Sequence, residues 1–263
     1  MVTHQHMDHL GLLEILSRRS GAEVATLDLL APYLENSSDS ASADDDFAAL
    51  VMRRHGIPTE LVTAFGAVGA AFRSFGSGAH VTRALRDGDQ LELRDRRLQV
   101  PHRPGHSPSD TLLWDEDRQI LFASDHLLAH ISSNPLVSRP LTGDWDPADP
   151  RPHALITYIE SMRATRELPA KLVLSGHGEP IVDHGSLIAS GFGCIGTGPQ
   201  DAADARQCPL TAYEIALQMW GNVAVTQAYL TLSEVLGHMD LLIADGRARE
   251  QESGEVIRFE ALG

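Results

Sequence analysis

Cysteine is scarce: Cys194 and Cys208 are the only two in 263 residues, too few for a disulfide framework and not in the CxxC spacing of a thiolate metal site. That excludes a disulfide-stapled scaffold and places the expected compartment in the cytoplasm. No apolar run approaches the roughly 18 residues that would suggest a membrane span. Met1-Val2-Thr3-His4 also lacks the basic stretch followed by an apolar one that marks an export signal. Positive charge is short as well. Twenty-one Lys and Arg against 36 Asp and Glu leave a formal charge of −15, which repels a phosphate backbone, so a nucleic-acid partner is disfavoured and a small-molecule substrate is expected. Hydrophobic residues at 43% and charged residues at 22% exclude a disordered chain, and the length allows one large domain with a small appendage.

Histidine, by contrast, is plentiful: thirteen residues, several of them clustered. The opening His4-Gln5-His6-Met7-Asp8-His9 runs into Leu12, Leu13, Leu16, Arg18-Arg19 and Gly21, the pattern of a short helix with cations in its last turn and glycine at its end. Ala22 to Leu27 reads as a short strand, and the acidic Ser37 to Asp46 reads as a surface linker too polar to pack. Phe47 to Arg54 and the Leu61, Phe65, Val68, Phe72, Phe75 stripe, spaced by fours and threes, predict two helices in an insertion spanning about 46–77. The stripe suits core packing, a dimer contact or a lid. Short β runs follow at 90–93, 97–101, 111–114 and 119–123, then a helix over 149–167 and a buried strand at 171–174.

The Gly-rich stretch from Gly191 and the polar run to Gln207 predict a connection between units, dividing the chain into 1–195 and 196–263. In the second unit, helices at 211–220 and 232–243 precede a hairpin joined at Ser253-Gly254, the outline of a winged helix. Three Arg against eight acids from Gln207 onward argue against DNA binding by it.

In HxHxDH the alternate residues His4 and His6 project in related directions, with Asp8 and His9 just beyond, so one loop offers four ligands to two neighbouring ions. Imidazole nitrogen and carboxylate oxygen suit Zn, with Fe and Mn as competitors. Pro104-Gly105-His106-Ser107-Pro108, Ala123-Ser124-Asp125 and Ser175-Gly176-His177-Gly178 each place a further ligand at a strand end. His55, His80, His153, His184 and His238 have no motif around them and read as surface or packing residues. His102, His126 and His130 flank the ligands and suit supporting roles.

This ordered series, covering about residues 1 to 190, resembles the metallo-β-lactamase-fold superfamily. The resemblance implies an α+β fold, an αββα sandwich with the metals at one sheet edge. It implies His4, His6 and His106 on one metal, Asp8, His9 and His177 on the other, and Asp125 bridging both. It also implies a binuclear hydrolase in which a metal-bridging hydroxide attacks a small ester, thioester or lactone, with Asp8 doubling as proton carrier. The bridging Asp125 favours a glyoxalase II-like branch over antibiotic cleavage. A mononuclear iron persulfide dioxygenase and a non-catalytic scaffold are the alternatives. Relatives carry several strands before HxHxDH, which here begins at position 4. An unpaired strand edge with exposed apolar residues, and a homodimer or aggregation through it, are therefore expected.

Overall fold

The computed structural model describes all residues except 74, 75, 77, 131, 132, 144, 196–208 and 263. After an extended start the chain forms α1 (Met7–Leu10), α2 (Leu13–Ser20), β1 (Ala25–Leu27), α3 (Ala31–Glu35), α4 (Ser37–Arg54) and α5 (Thr59–Arg73). Then come β2 (Arg83–Leu85), β3 (Gln90–Leu93), β4 (Arg96–Gln99), β5 (Leu113–Asp115), β6 (Ile120–Ser124), α6 (Ala154–Arg166), β7 (Leu172–Ser175) and α7 (His184–Ile195). The C-terminal part holds α8 (Ala212–Trp220), α9 (Val223–Thr226), α10 (Ala228–Ala244) and the hairpin β8 (Ala248–Ser253) and β9 (Val256–Ala261). No helix among the described residues is long and apolar enough to cross a membrane.

Two sheets face each other. β1 and β2 pair in parallel, and the Val2 N–H donates to the Ala25 carbonyl at 2.8 Å, so the segment entering His4 lies alongside β1. The second sheet has the order β3-β4-β5-β6-β7, antiparallel up to β6 and parallel between β6 and β7. Ala25 and Leu85 from the first sheet pack with Leu91, Leu98 and Val100 from the second. Alternation along β6 turns Leu121 and Ala123 to the opposite face, where Trp114 and Val173 meet Leu155, Tyr158, Ile159 and Met162 of α6. Fully burying each such side chain contributes about 1.5–3 kcal/mol, which fixes the register of the strands that end at the site. This layering is the expected sandwich.

Two expectations differ from the structure. Residues 37–46 form no linker but the first half of α4. Ser and Asp are weak helix formers, yet Asp39 sits at the positive helix start, Ala41 and Ala43 favour the helix, and two of the acids have partners. Arg139 holds Asp44 at 3.0 Å and Arg73 of α5 pairs with Asp45. Tertiary ion pairs thus override the local composition. The α5 stripe is core only at its start: Leu61 packs on the core and Phe65 leans on Tyr229, but Val68 and Phe72 are exposed, and Phe75 lies outside the described residues.

Phe47, Val51, Met52, Ile57 and Val62 of the insertion share one core with Ile215, Leu232, Leu236, Met239 and Phe259 of the C-terminal part. Thr211 caps α8 with Glu214 in a reciprocal box that fixes where that part begins to fold. Most of the expected connection, residues 196–207, falls outside the described residues.

Candidate metal centre

Seven side chains from four places in the sequence meet at one edge of the sandwich. β4, β6 and β7 run in the same direction, so the segments after them, carrying His106, Asp125 and His177, leave the sheet on one side. The segment beside β1 delivers His4, at a bend, and His6, in extended backbone, to that side. His6 (φ −68°, ψ 144°) then starts α1, which carries Asp8 and His9.

Two residues without side chains make the convergence possible. A Cβ on Gly105 would lie 2.5–2.6 Å from Tyr158, so only glycine lets the His106 turn close onto α6. A Cβ on Gly176 would stand 2.1 Å from Oδ1 of Asp125 and 3.2 Å from His9.

His4, His6 and His106 form one group, and Asp8, His9, Asp125 and His177 a second, each with ligand atoms within 4.8 Å of one another. Oδ2 of Asp125 lies between them, 3.4 Å from Nε2 of His9, 3.4 Å from Nε2 of His177, 3.8 Å from Nε2 of His106 and 4.0 Å from Nε2 of His4. Oδ2 of Asp8 is 3.0 Å from Nε2 of His177 and 3.5 Å from Nε2 of His9. The first group is the more buried, with His4 wholly so and His6 and His106 partly exposed, whereas the Asp8 and His177 side chains are 56% and 48% exposed. Any ligand therefore approaches from the second group.

The electrostatics fit divalent cations. Burial and the neighbouring imidazoles hold His4 far below the usual histidine range. Burial and His106 push His6 down to about 3, and burial lowers His106. Three neutral imidazoles thus present lone pairs, and Nε2 of His106 faces Nδ1 of His6 at 2.9 Å. The Asp125 carboxylate, 3.4 Å from its Nε2, raises His9. For Asp125, burial acts upward, but the nearby His9, His177 and His106 imidazoles outweigh it and leave the carboxyl below its ordinary value. Nε2 of His4 and Oδ1 of Asp125 are buried without a hydrogen-bond partner. Such orphaned acceptors are costly in a protein interior, and a bound cation is what would satisfy them.

Supporting residues went unnoticed in the sequence. Asp110, fully buried, accepts from the backbone N–H of Ser107 at 2.9 Å and from its hydroxyl at 2.7 Å, and so shapes the turn that carries His106. Burial pushes its carboxyl up to about 7 against those bonds. The Ser133 carbonyl lies 3.3 Å from Nδ1 of His106. Ser107-x-x-Asp110 is a legible turn signature, but nothing local marks Ser133. Among the flanking histidines, Nε2 of His102 bonds the Pro108 carbonyl and Nε2 of His126 bonds Thr165, while His130 is exposed. The motif-free His55 stacks on Phe259 within the shared core.

An open groove of about 850 Å³ runs from Asp8 and His9 along α2 and past Phe72, with Met7, Leu12 and Leu16 among its walls. Leu12 and Leu16 are 61% and 60% exposed and Phe72 60%, while Val2 beside them is buried.

The family model described as "Metallo-beta-lactamase superfamily" matches residues 1–177. A Bacillus subtilis protein named "Probable metallo-hydrolase YqjP" is 29% identical over 263 residues, all of this chain and 80% of that protein. The human protein named "Acyl-coenzyme A thioesterase MBLAC2" is 52% identical over 44 residues, 17% of this chain and 16% of that protein. The crystal structure of a beta-lactamase domain protein from Burkholderia ambifaria superposes with a TM-score of 0.78 at 25% identity, over 99% of this chain and 74% of that one.

Proposed function

Because this chain belongs to the metallo-beta-lactamase superfamily and is a metal-dependent hydrolase, we propose that it works as a binuclear enzyme on a small ester, thioester or lactone. The observation that carries the reading is the position of Asp125, whose single oxygen stands within 4.0 Å of imidazoles from both ligand groups. His4, His6 and His106 would hold one divalent ion and Asp8, His9 and His177 the other, with Asp125 shared. Zn suits this nitrogen and oxygen donor set, with Fe and Mn as competitors. Such ions, when bound, would supply a water of lowered pKa and polarise the carbonyl under attack.

The chain's own residues supply the rest. The more buried first group keeps its imidazoles neutral, and the open second group admits substrate past Asp8 and His177. Asp8 takes the proton of the attacking water at its carboxylate and returns it to the leaving group as the tetrahedral intermediate collapses. Among the three substrate classes a thioester is preferred, on the similarity of a 44-residue segment to an acyl-coenzyme A thioesterase. Residues 196–263 are read as a winged-helix-like unit that does not bind nucleic acid, and its part from Leu210 onward shares one core with α4 and α5. The exposed apolar face of α2 and α5 keeps a homodimer within the proposal, and sedimentation velocity decides it.

The reaction is tested by incubating the Zn-loaded protein with acyl thioesters, lactones and phosphodiesters, following free thiol with a chromogenic reagent and acid release by pH-stat. Thiol release abolished by chelation is expected. Turnover of phosphodiesters alone, or oxygen uptake with a persulfide in place of acid release, would overturn the reading.

A further inference from the structure

His4 is fully buried, and its two ring nitrogens have different surroundings. Nε2 has no hydrogen-bond partner and lies 4.0 Å from Oδ2 of Asp125. Nδ1 lies 3.1 Å from Oγ1 of Thr3, and that oxygen is 2.9 Å from Oγ of Ser124. Ser124 is 121 residues away in sequence, at the irregular end of β6 and next to Asp125. Its backbone is left-handed (φ 47°), a conformation that costs a serine energy, and its carbonyl accepts from the Gly176 N–H at 2.8 Å. One pair of hydroxyls therefore ties the segment entering HxHxDH to the strand end that carries the shared carboxylate.

We propose that Thr3 and Ser124 form a hydroxyl relay that fixes the tautomer and orientation of His4, making both positioning residues for the first metal. The inference rests on the metal-centre reading above. The warrant is a count of protons. A neutral imidazole carries one N–H, and a nitrogen that ligates a metal must be bare, so for Nε2 to face the metal Nδ1 must hold the proton and donate it to Thr3. Having accepted there, the Thr3 hydroxyl gives its own proton to Ser124, the other oxygen within reach.

The relay also has a reverse direction, Ser124 to Thr3 to Nδ1, which puts the ring proton on Nε2. That arrangement leaves a wholly buried N–H without an acceptor, whereas the forward one leaves the spare proton on Ser124, which is half-buried. Burial thus sets the direction. The contrast with His106 is instructive, because its Nδ1 faces the Ser133 carbonyl, which can only accept and fixes the tautomer unaided. Toward Nδ1 a hydroxyl can take either role, so at His4 the buried, partnerless Nε2 sets the direction, and Ser124 completes it by accepting the Thr3 proton.

The test uses Thr3→Val, which keeps the shape and removes the hydroxyl, Thr3→Ser, which restores it, and Ser124→Ala. Imidazole ¹⁵N spectra of the metal-free proteins report the tautomer. Competition with a chromophoric chelator reports the affinity of the tighter Zn. Wild type is expected to hold His4 with Nδ1 protonated. Thr3→Val is expected to lose that preference and about 10- to 100-fold in affinity, the usual effect of removing a partner behind a ligand. Thr3→Ser should recover both.

A wild-type His4 protonated at Nε2, a Thr3→Val protein binding as tightly as wild type, or a Thr3→Ser protein as weak as Thr3→Val would overturn the relay. Should Thr3→Val fail to fold, Ser124→Ala serves, and an unchanged tautomer together with unchanged affinity is then the refuting result. A protonated Nδ1 in a wild type that takes up no metal would support the relay while sinking the metal-centre reading, so the two fail separately.

Discussion

Adding one methyl group at Gly176 perturbs the centre most selectively. An alanine Cβ there would stand 2.1 Å from Oδ1 of Asp125, and ordinary contact begins at 3.4 Å. The carboxylate must therefore withdraw by about 1.3 Å, and a misplacement near 1 Å costs on the order of 10²-fold in catalysis. The backbone of Gly176 is not left-handed, so alanine adds no conformational strain, and the next nearest atoms, in His9 and the Ser124 backbone, stand at 3.2 Å.

Gly176→Ala is accordingly expected to lose roughly 100-fold in kcat/KM and to bind both ions more weakly, with little change in the melting temperature of the metal-free protein. Gly178→Ala is the control. Nothing lies within 4 Å of a Cβ there, but its φ of 80° means alanine costs about 1–2 kcal/mol of stability and should leave metal affinity intact. Calorimetric metal titration beside thermal unfolding separates the two effects. A Gly176→Ala protein with wild-type metal affinity and turnover would refute the claim that Asp125 needs that space.

Asp125→Ala should abolish the second binding step, weaken the first and remove activity while circular dichroism stays native; full turnover at full metal content would count against a shared carboxylate. Metal uptake should depend on pH in one step only. His4, His6 and His106 are all lowered, so at and above neutral pH the first ion should release few protons. His9 is raised, so the second ion must displace its proton and should bind more tightly as pH rises through that raised value. Calorimetry in buffers of different ionisation enthalpy reads this, and equal proton release in both steps would contradict it. Asp110→Ala leaves the buried Ser107 donors unpaired and should cost about 1–3 kcal/mol of stability in chemical denaturation. No loss would mean that the turn holds its shape without the carboxylate.

The seven side chains that meet at the sheet edge could be picked out in sequence because each stands in a short motif, three of them just after an apolar strand run, and strand ends of one sheet collect at one edge. Gly105 and Gly176 were visible as parts of those motifs, although what they avoid, Tyr158 and Asp125, depends on chain segments 50 residues away. The helix through Ser37 to Asp46 was hidden for a different reason. Its composition opposes a helix, and the Arg139 and Arg73 partners that favour it become neighbours only after folding. Likewise the core that Phe47 and Met52 share with Leu232 and Phe259 follows from a docking that no local periodicity encodes. Residues behind the ligands, Ser133 above all, act through backbone atoms or lone hydroxyls and leave no pattern to read.

The central claim is that two ions share one carboxylate and act together. The most direct measurement is thioester hydrolysis by protein reconstituted with zero, one and two equivalents of Zn, with metal content verified by mass spectrometry. Rates that remain at background with one equivalent and rise to the plateau only as the second is added are predicted. Full activity at one equivalent, with the second adding nothing, would contradict it.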